Sequence, residues 1–196
     1  FYGRRSIFPN LGFDTFTSEE YMPEEDEKNL LGWVKDEILT DEIIKCLDAT
    51  EEPDYVYTIS VQGHGDYPAE EQDNKWEYYV NEIRAMDNFV KELTDTLSEY
   101  PEDVVLVMYG DHLPTMDLTV EDVKNKYLFQ TEYVIWDNFG LEKKDENLAA
   151  YQMAAEVLDR VGIHEGTVFR YHQARRNTKN YQVDLETLQY DLLYGE

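Results

Sequence analysis

Apolar positions along this chain fall into two kinds of segment, short unbroken runs and long spaced stripes. Residues 55–61 (YVYTISV) and 104–109 (VVLVMY) are unbroken, β-branched and aromatic, which predicts strands buried on both faces. Within the first of these, Thr58 reads as a β-branched core residue. Residues 132–136 (EYVIW) predict a third strand. Between the first two runs, Trp76, Tyr79, Val80, Ile83, Met86, Phe89, Val90, Leu93 and Leu97 form one stripe of a long amphipathic helix over 74–99, with Pro101 just beyond it. A short helix is predicted over 40–47, with Thr40 as its cap and Asp41 and Glu42 in its first turn. Another covers 146–161, where Leu148, Tyr151, Ala155, Leu158 and Val161 share a face and Gly162 follows as the C′ residue. A last helix is predicted over 184–193. Residues 1–16, with a turn at Gly12, and the acidic stretch 18–28 around Pro23 read as loops. The order strand, helix, strand, loop, strand, helix predicts an α/β sheet covered by helices on both faces.

Composition bounds what such a fold can do. The chain has 196 residues, enough for one domain or part of a larger one, with 42% hydrophobic residues and 16 tyrosines. No apolar run approaches the roughly 20 residues needed to cross a bilayer, and no secretory h-region opens the sequence, so a soluble chain is expected. The formal net charge of −26 repels nucleic acid and anionic lipid, which argues against both as partners. An anionic substrate then needs a local cation. The basic cluster Arg170, His172, Arg175, Arg176 and Lys179 reads as a solvated loop face. Cys46, the single cysteine, excludes an intrachain disulfide and reads as a buried, inert thiol.

Candidate chemistry gathers where two runs stop. The 104–109 run ends through Gly110 onto Asp111 and His112, a hard carboxylate oxygen beside a borderline imidazole nitrogen. The end of a covered strand is where α/β enzymes place such groups. The 55–61 run ends in QGHGDYP, with His64 between two glycines. If the two strands are parallel neighbours joined by the 74–99 helix, the loops lie at one sheet edge. The plainer alternatives stay open on these grounds: Asp111 as a loop cap with His112 as a polar neighbour, and His64 bonded to backbone.

Six segments in one order carry a resemblance: FYGRRSIFPNLGFDTF, TISVQGHGDYP, YYVNEIRAMDNFVKEL, VVLVMYGDHLP, EYVIWDNF and YDLLYG. Together they resemble the C-terminal part of the catalytic domain of lipoteichoic acid synthase-type phosphoglycerol transferases, in the sulfatase branch of the alkaline phosphatase superfamily. The resemblance implies an alkaline phosphatase/sulfatase-like α/β fold, with residues 1–196 as the C-terminal fragment of one sulfatase-like catalytic domain. It implies a Mn-type divalent cation, with Mg or Zn as alternatives, held by Asp111 and His112. It implies His64 as a catalytic and substrate-contacting residue, and Tyr2 and Arg4 as substrate-binding residues, Arg4 on the phosphate; the plain alternative for Arg4 is a salt bridge. Gly3 replaces a polar residue often seen beside the aromatic position, which leaves head-group choice open.

The implied substrate is a phosphatidylglycerol-type lipid head group, or another phosphate or sulfate ester. The implied location is the extracytoplasmic face of a bacterial membrane, in the cell envelope, for a membrane-anchored parent. In the family the nucleophilic threonine and a further acidic ligand lie upstream of the position matching Phe1. Neither Thr58 nor Thr115 has that setting. The chain alone is therefore expected to be inactive, and a sulfatase, a phosphodiesterase or a non-catalytic binding module are the alternatives.

Overall fold

The computed structural model describes residues 2–22, 28–65, 67 and 72–195, so the loop expected around Pro23 lies largely outside the described residues. The chain forms two compact units, Phe1–Val134 and Ile135–Glu196. Two strands, Val105–Tyr109 (β1) and Tyr133–Asp137 (β2), pair in a two-stranded sheet and match two of the three expected runs.

The first unit opens on structure where a loop was expected. Arg4–Ile7 form a helical turn (α1) that runs into a 3₁₀ turn at Phe8–Leu11. Gly3 enters it at φ +65°, the Ser6 hydroxyl donates to the Gly3 carbonyl at 2.9 Å, and Gly12 leaves it at φ +93°. Ile38–Leu47 (α2) starts ahead of the predicted cap. Leu39 N–H donates to the Asp36 carbonyl and Thr40 N–H to that of Glu37, so Thr40 is a buried residue of the first turn. Gln72–Ser98 (α3) is the long amphipathic helix. Its buried residues Phe89, Leu93 and Leu97 recur every fourth position, and α2 packs on it. Farther toward its N-terminus the same stripe is bare, with Trp76, Val80 and Ile83 between 40% and 49% exposed.

The run 55–61 departs most from expectation. It belongs to no β-ladder, and Tyr55, Val56, Tyr57, Thr58 and Ile59 are exposed. Thr58 is therefore not a core residue. A strand buried on both faces needs neighbours on both edges and cover above and below, and among the described residues nothing supplies them.

In the second unit, a 3₁₀ turn (Ala150–Gln152) leads into Met153–Arg160 (α4), followed by Thr167–Arg175 (α5) and Tyr181–Tyr194 (α6); α5 packs on both of the others. α4 ends as its sequence predicts. Gly162, at φ +76°, donates its N–H to the Asp159 carbonyl, and Ile163 donates to Leu158, which is a Schellman closure. The basic cluster is not a loop face, because Arg170, His172 and Arg175 lie on α5. His172 is buried, its Nδ1 2.7 Å from the Tyr181 hydroxyl, which also accepts from Gln152 Nε2 at 2.9 Å. Burial pushes the His172 pKa down.

Arg176 pairs with the fully buried carboxylate of Glu156, which Lys144 also reaches at 2.8 Å and Arg160 at 2.9 Å. Burial pushes this carboxyl up, but the three cations outweigh it and hold it at about 2. Among the described residues no helix is long and apolar enough to cross a membrane.

Candidate functional site

β1 delivers its chemistry through Gly110. A Cβ there would lie 2.8 Å from the Thr131 hydroxyl oxygen, so a side chain at this point would have to displace Thr131. Just before it, the Tyr109 hydroxyl is hydrogen-bonded to Tyr57, an interaction that pushes Tyr109 up to about 12. The 55–57 segment thus lies against the end of β1 through side chains, although no ladder joins them. Just after it, Asp111 and His112 are both exposed, with carboxylate Oδ1 and imidazole Nε2 3.6 Å apart.

His112 Nδ1 is 2.8 Å from the Leu113 carbonyl oxygen. A carbonyl only accepts, so Nδ1 carries a proton, and in the neutral ring the lone pair falls on Nε2, beside Asp111. A backbone carbonyl behind one ring nitrogen is the usual way a metal-binding imidazole is held in the correct tautomer. The pair therefore fits a divalent cation chemically, as one anionic oxygen and one neutral nitrogen. It amounts to part of a coordination shell, since among the described residues no three His, Cys, Asp or Glu side chains converge as a metal cluster.

His64 meets this pair. Its ring lies 5.8 Å from that of His112, edge to face at 77°, and 6.2 Å from Trp33 on another side. The loop carrying it is closely held. The buried Asp36 carboxylate accepts the Val61 and Gln62 backbone N–H groups at 2.9 and 3.1 Å. Gln62 Oε1 accepts the Asp36 N–H at 3.0 Å in return. Burial pushes the Asp36 carboxyl up against the lowering effect of those two bonds. Asn29 accepts the Leu31 and Trp33 N–H groups at 3.0 Å, shaping the turn that presents Trp33. Gly65 sits at φ +124°, and a Cβ there would approach Leu31 Cδ1 to 2.9 Å.

Tyr2 and Arg4 come together separately, the guanidinium lying 5.4 Å from the centre of the Tyr2 ring. Tyr2 is 77% exposed and takes φ +54°. Arg4 makes no ion pair with a described carboxylate, so the plain salt-bridge alternative finds no support among the described residues. The 3₁₀ turn that follows α1 is pinned toward the site: Phe8 lies 6.0 Å from Tyr57, and Phe13 lies 5.8 Å from Tyr55. Among the described residues, no hydrogen bond, ion pair or ring contact joins Tyr2 or Arg4 to His64, Asp111 or His112.

Asp36, Gln62 and Trp33 escape a reading along the chain because each acts on a residue some thirty positions away; only the two glycines flanking His64 hint at a tight loop. Cys46 is half-buried rather than fully buried, with its thiol pushed up by desolvation.

The chain thus presents Asp111 and His112 at the end of β1 beside a second histidine, where α/β proteins place their ligand-binding groups. The chain belongs to the sulfatase family, whose profile matches residues 1–163. It is similar to a protein of Rhizobium meliloti (strain 1021) named for cyclic beta-1,2-glucan modification, at 25% identity over a 253-residue alignment covering 100% of this chain and 39% of the relative. Its fold is that of the Streptococcus pyogenes phosphoglycerol transferase GacH, solved in complex with sn-glycerol-1-phosphate, with a TM-score of 0.80 at 21% identity over 96% of this chain and 57% of that one. The resemblance read from the motifs is thus borne out for family and fold. The chain spans well under two thirds of both proteins' lengths.

Proposed function

We propose that residues 1–196 are the C-terminal portion of the catalytic domain of a metal-dependent phosphoglycerol transferase, which moves a glycerophosphate group onto an acceptor. The observation that carries this is the meeting of Asp111, His112 and His64, with the His112 Nδ1 proton committed to a carbonyl and Nε2 left as a ligand nitrogen. In this reading Asp111 and His112 hold a divalent cation, Mn-type or else Mg or Zn. Such a cation neutralises charge that develops on phosphoryl oxygens and polarises an attacking hydroxyl. Arg4 grips phosphate oxygens with its planar fork, and Tyr2 holds that guanidinium in place. His64 donates a proton to a phosphate oxygen or to the departing alkoxide.

The nucleophile, a threonine by family pattern, and the remaining metal ligands come from chain outside residues 1–196, so this portion is inactive alone. The bare apolar positions at 55–59 and at Trp76, Val80 and Ile83 support that incompleteness. The parent is placed at the extracytoplasmic side of a bacterial membrane, acting on a phosphatidylglycerol-type lipid. The glucan-modifying relative favours a carbohydrate acceptor.

A sulfatase or phosphodiesterase is the second reading, favoured by the family match itself, because sulfate and phosphate esters present similar tetrahedral anions. The test is turnover by the full-length protein, with divalent metal, of a glycerophosphodiester against a matched sulfate ester. Preference for the phosphodiester, lost on chelation and restored by added cation, is expected. Preference for the sulfate ester overturns the first reading in favour of the second.

A further inference from the structure

We propose that the buried Tyr67 hydroxyl and the Asp36 carboxylate form a positioning frame for the loop that carries His64, whose ring lies 5.8 Å from that of His112. The inference rests on the phosphoryl-transfer reading for its catalytic consequence, but not for its geometry. Tyr67 is buried and lies outside every regular element. Its hydroxyl donates to the Gly63 carbonyl at 3.1 Å. Gly63 immediately precedes His64. The phenol therefore holds the backbone one residue before the imidazole.

Asp36 completes the frame from the opposite side. Its two oxygens hold the N–H groups of Val61 and Gln62, and the turn closes with His64 N–H on the Val61 carbonyl at 3.0 Å. Thus 61, 62 and 63 each have a backbone group held by a buried side chain just before the imidazole emerges. Neither Tyr67 nor Asp36 touches His64, Asp111 or His112 through its side chain, so both are positioning residues. Groups of this kind matter because a displacement of about 1 Å at a reacting group costs on the order of 100-fold in rate.

The test uses the full-length protein with Tyr67→Phe, which keeps the ring and deletes only the hydroxyl, and Asp36→Asn, each alone and with His64→Ala. On a glycerophosphodiester with divalent metal, each single variant is expected to lower kcat by roughly 10–100-fold with KM little changed. In the His64→Ala background neither should lower kcat further, because the group being positioned is gone. Equal losses with and without His64, or no loss in Tyr67→Phe, overturn the proposal.

A second readout needs no turnover. In Tyr67→Phe the His64 amide, bonded to the Val61 carbonyl, should lose hydrogen-exchange protection, and the nuclear Overhauser contact between the His64 and His112 rings should weaken. If both are unchanged the frame is refuted. If wild-type protein turns over no ester while these signals move, the functional reading fails and the frame stands.

Discussion

Two carboxylates show how strongly surroundings decide what an acid does in this chain. Asp111 is exposed, with no Lys or Arg paired to it among the described residues, so its charge is available to a cation. Replacing Asp111 or His112 with Ala in the full-length enzyme should therefore lower kcat/KM by several powers of ten, with the melting temperature little changed because both side chains are in solvent. A loss of only a few-fold would reduce them to loop residues. Glu156 is the opposite case, a buried anion enclosed by Lys144, Arg160 and Arg176. Its folded pKa of about 2 lies below its ordinary 4.5, so its contribution, about 3 kcal/mol, is present above pH 4.5 and is lost as pH falls toward 2. Glu156→Gln removes the anion paired with Arg160 and one of the two, with Glu146, that Lys144 and Arg176 share, and should destabilise the protein by about 3–5 kcal/mol at neutral pH. In denaturant titrations that gap from wild type should close between pH 4.5 and about 2. Asp36, raised by burial, has the opposite sign: it favours folding in acid and loses that contribution as pH climbs through its folded pKa.

Among the elements, α3 was the most legible, because a stripe repeated over seven turns leaves little doubt about period or face. Leu97 is 1% exposed at the packed end of that stripe, and Leu97→Ala should cost about 2–5 kcal/mol by chemical denaturation. The Schellman end of α4 was legible from Gly162 for a similarly local reason. α5 was missed because Thr167–Arg175 carries no apolar stripe. It is held by Tyr171 and His172 bonding to Tyr181, nine or ten residues away. α1 was missed because a single turn shows no periodicity. Between elements, Gly65 closes the His64 loop at a φ few other residues adopt, and Gly65→Ala should destabilise by about 1–3 kcal/mol. The same variant should lower catalysis beyond what its stability loss explains, measured as kcat at a temperature well below its melting point.

For the whole molecule, charge and exposed apolar surface act in different ways. A net charge of −26 keeps the chain away from polyanions, and filter-binding with duplex DNA at physiological salt should detect no complex. The bare run Tyr55–Ile59 is a different kind of surface, apolar and β-branched yet without ladder partners among the described residues. If further sequence of the same protein completes the sheet, the amides of 55–59 should be strongly protected from hydrogen exchange in the full-length protein and weakly protected in isolated 1–196. Equal protection in both would mean that no further strand pairs with 55–59.

The contrast between legible and hidden features follows from sequence separation. Apolar period, helix ends, the Gly110–Asp111–His112 step and the family motifs are written in neighbouring residues, so reading along the chain found them. The pairing of His64 with His112 and the hold of Asp36 on residues 61 and 62 depend on contacts between residues tens of positions apart. Whether 55–61 is covered depends on partners that no local pattern encodes. Packing alone decides such matters, since burial and hydrogen-bond geometry are properties of the folded neighbourhood and not of the residue.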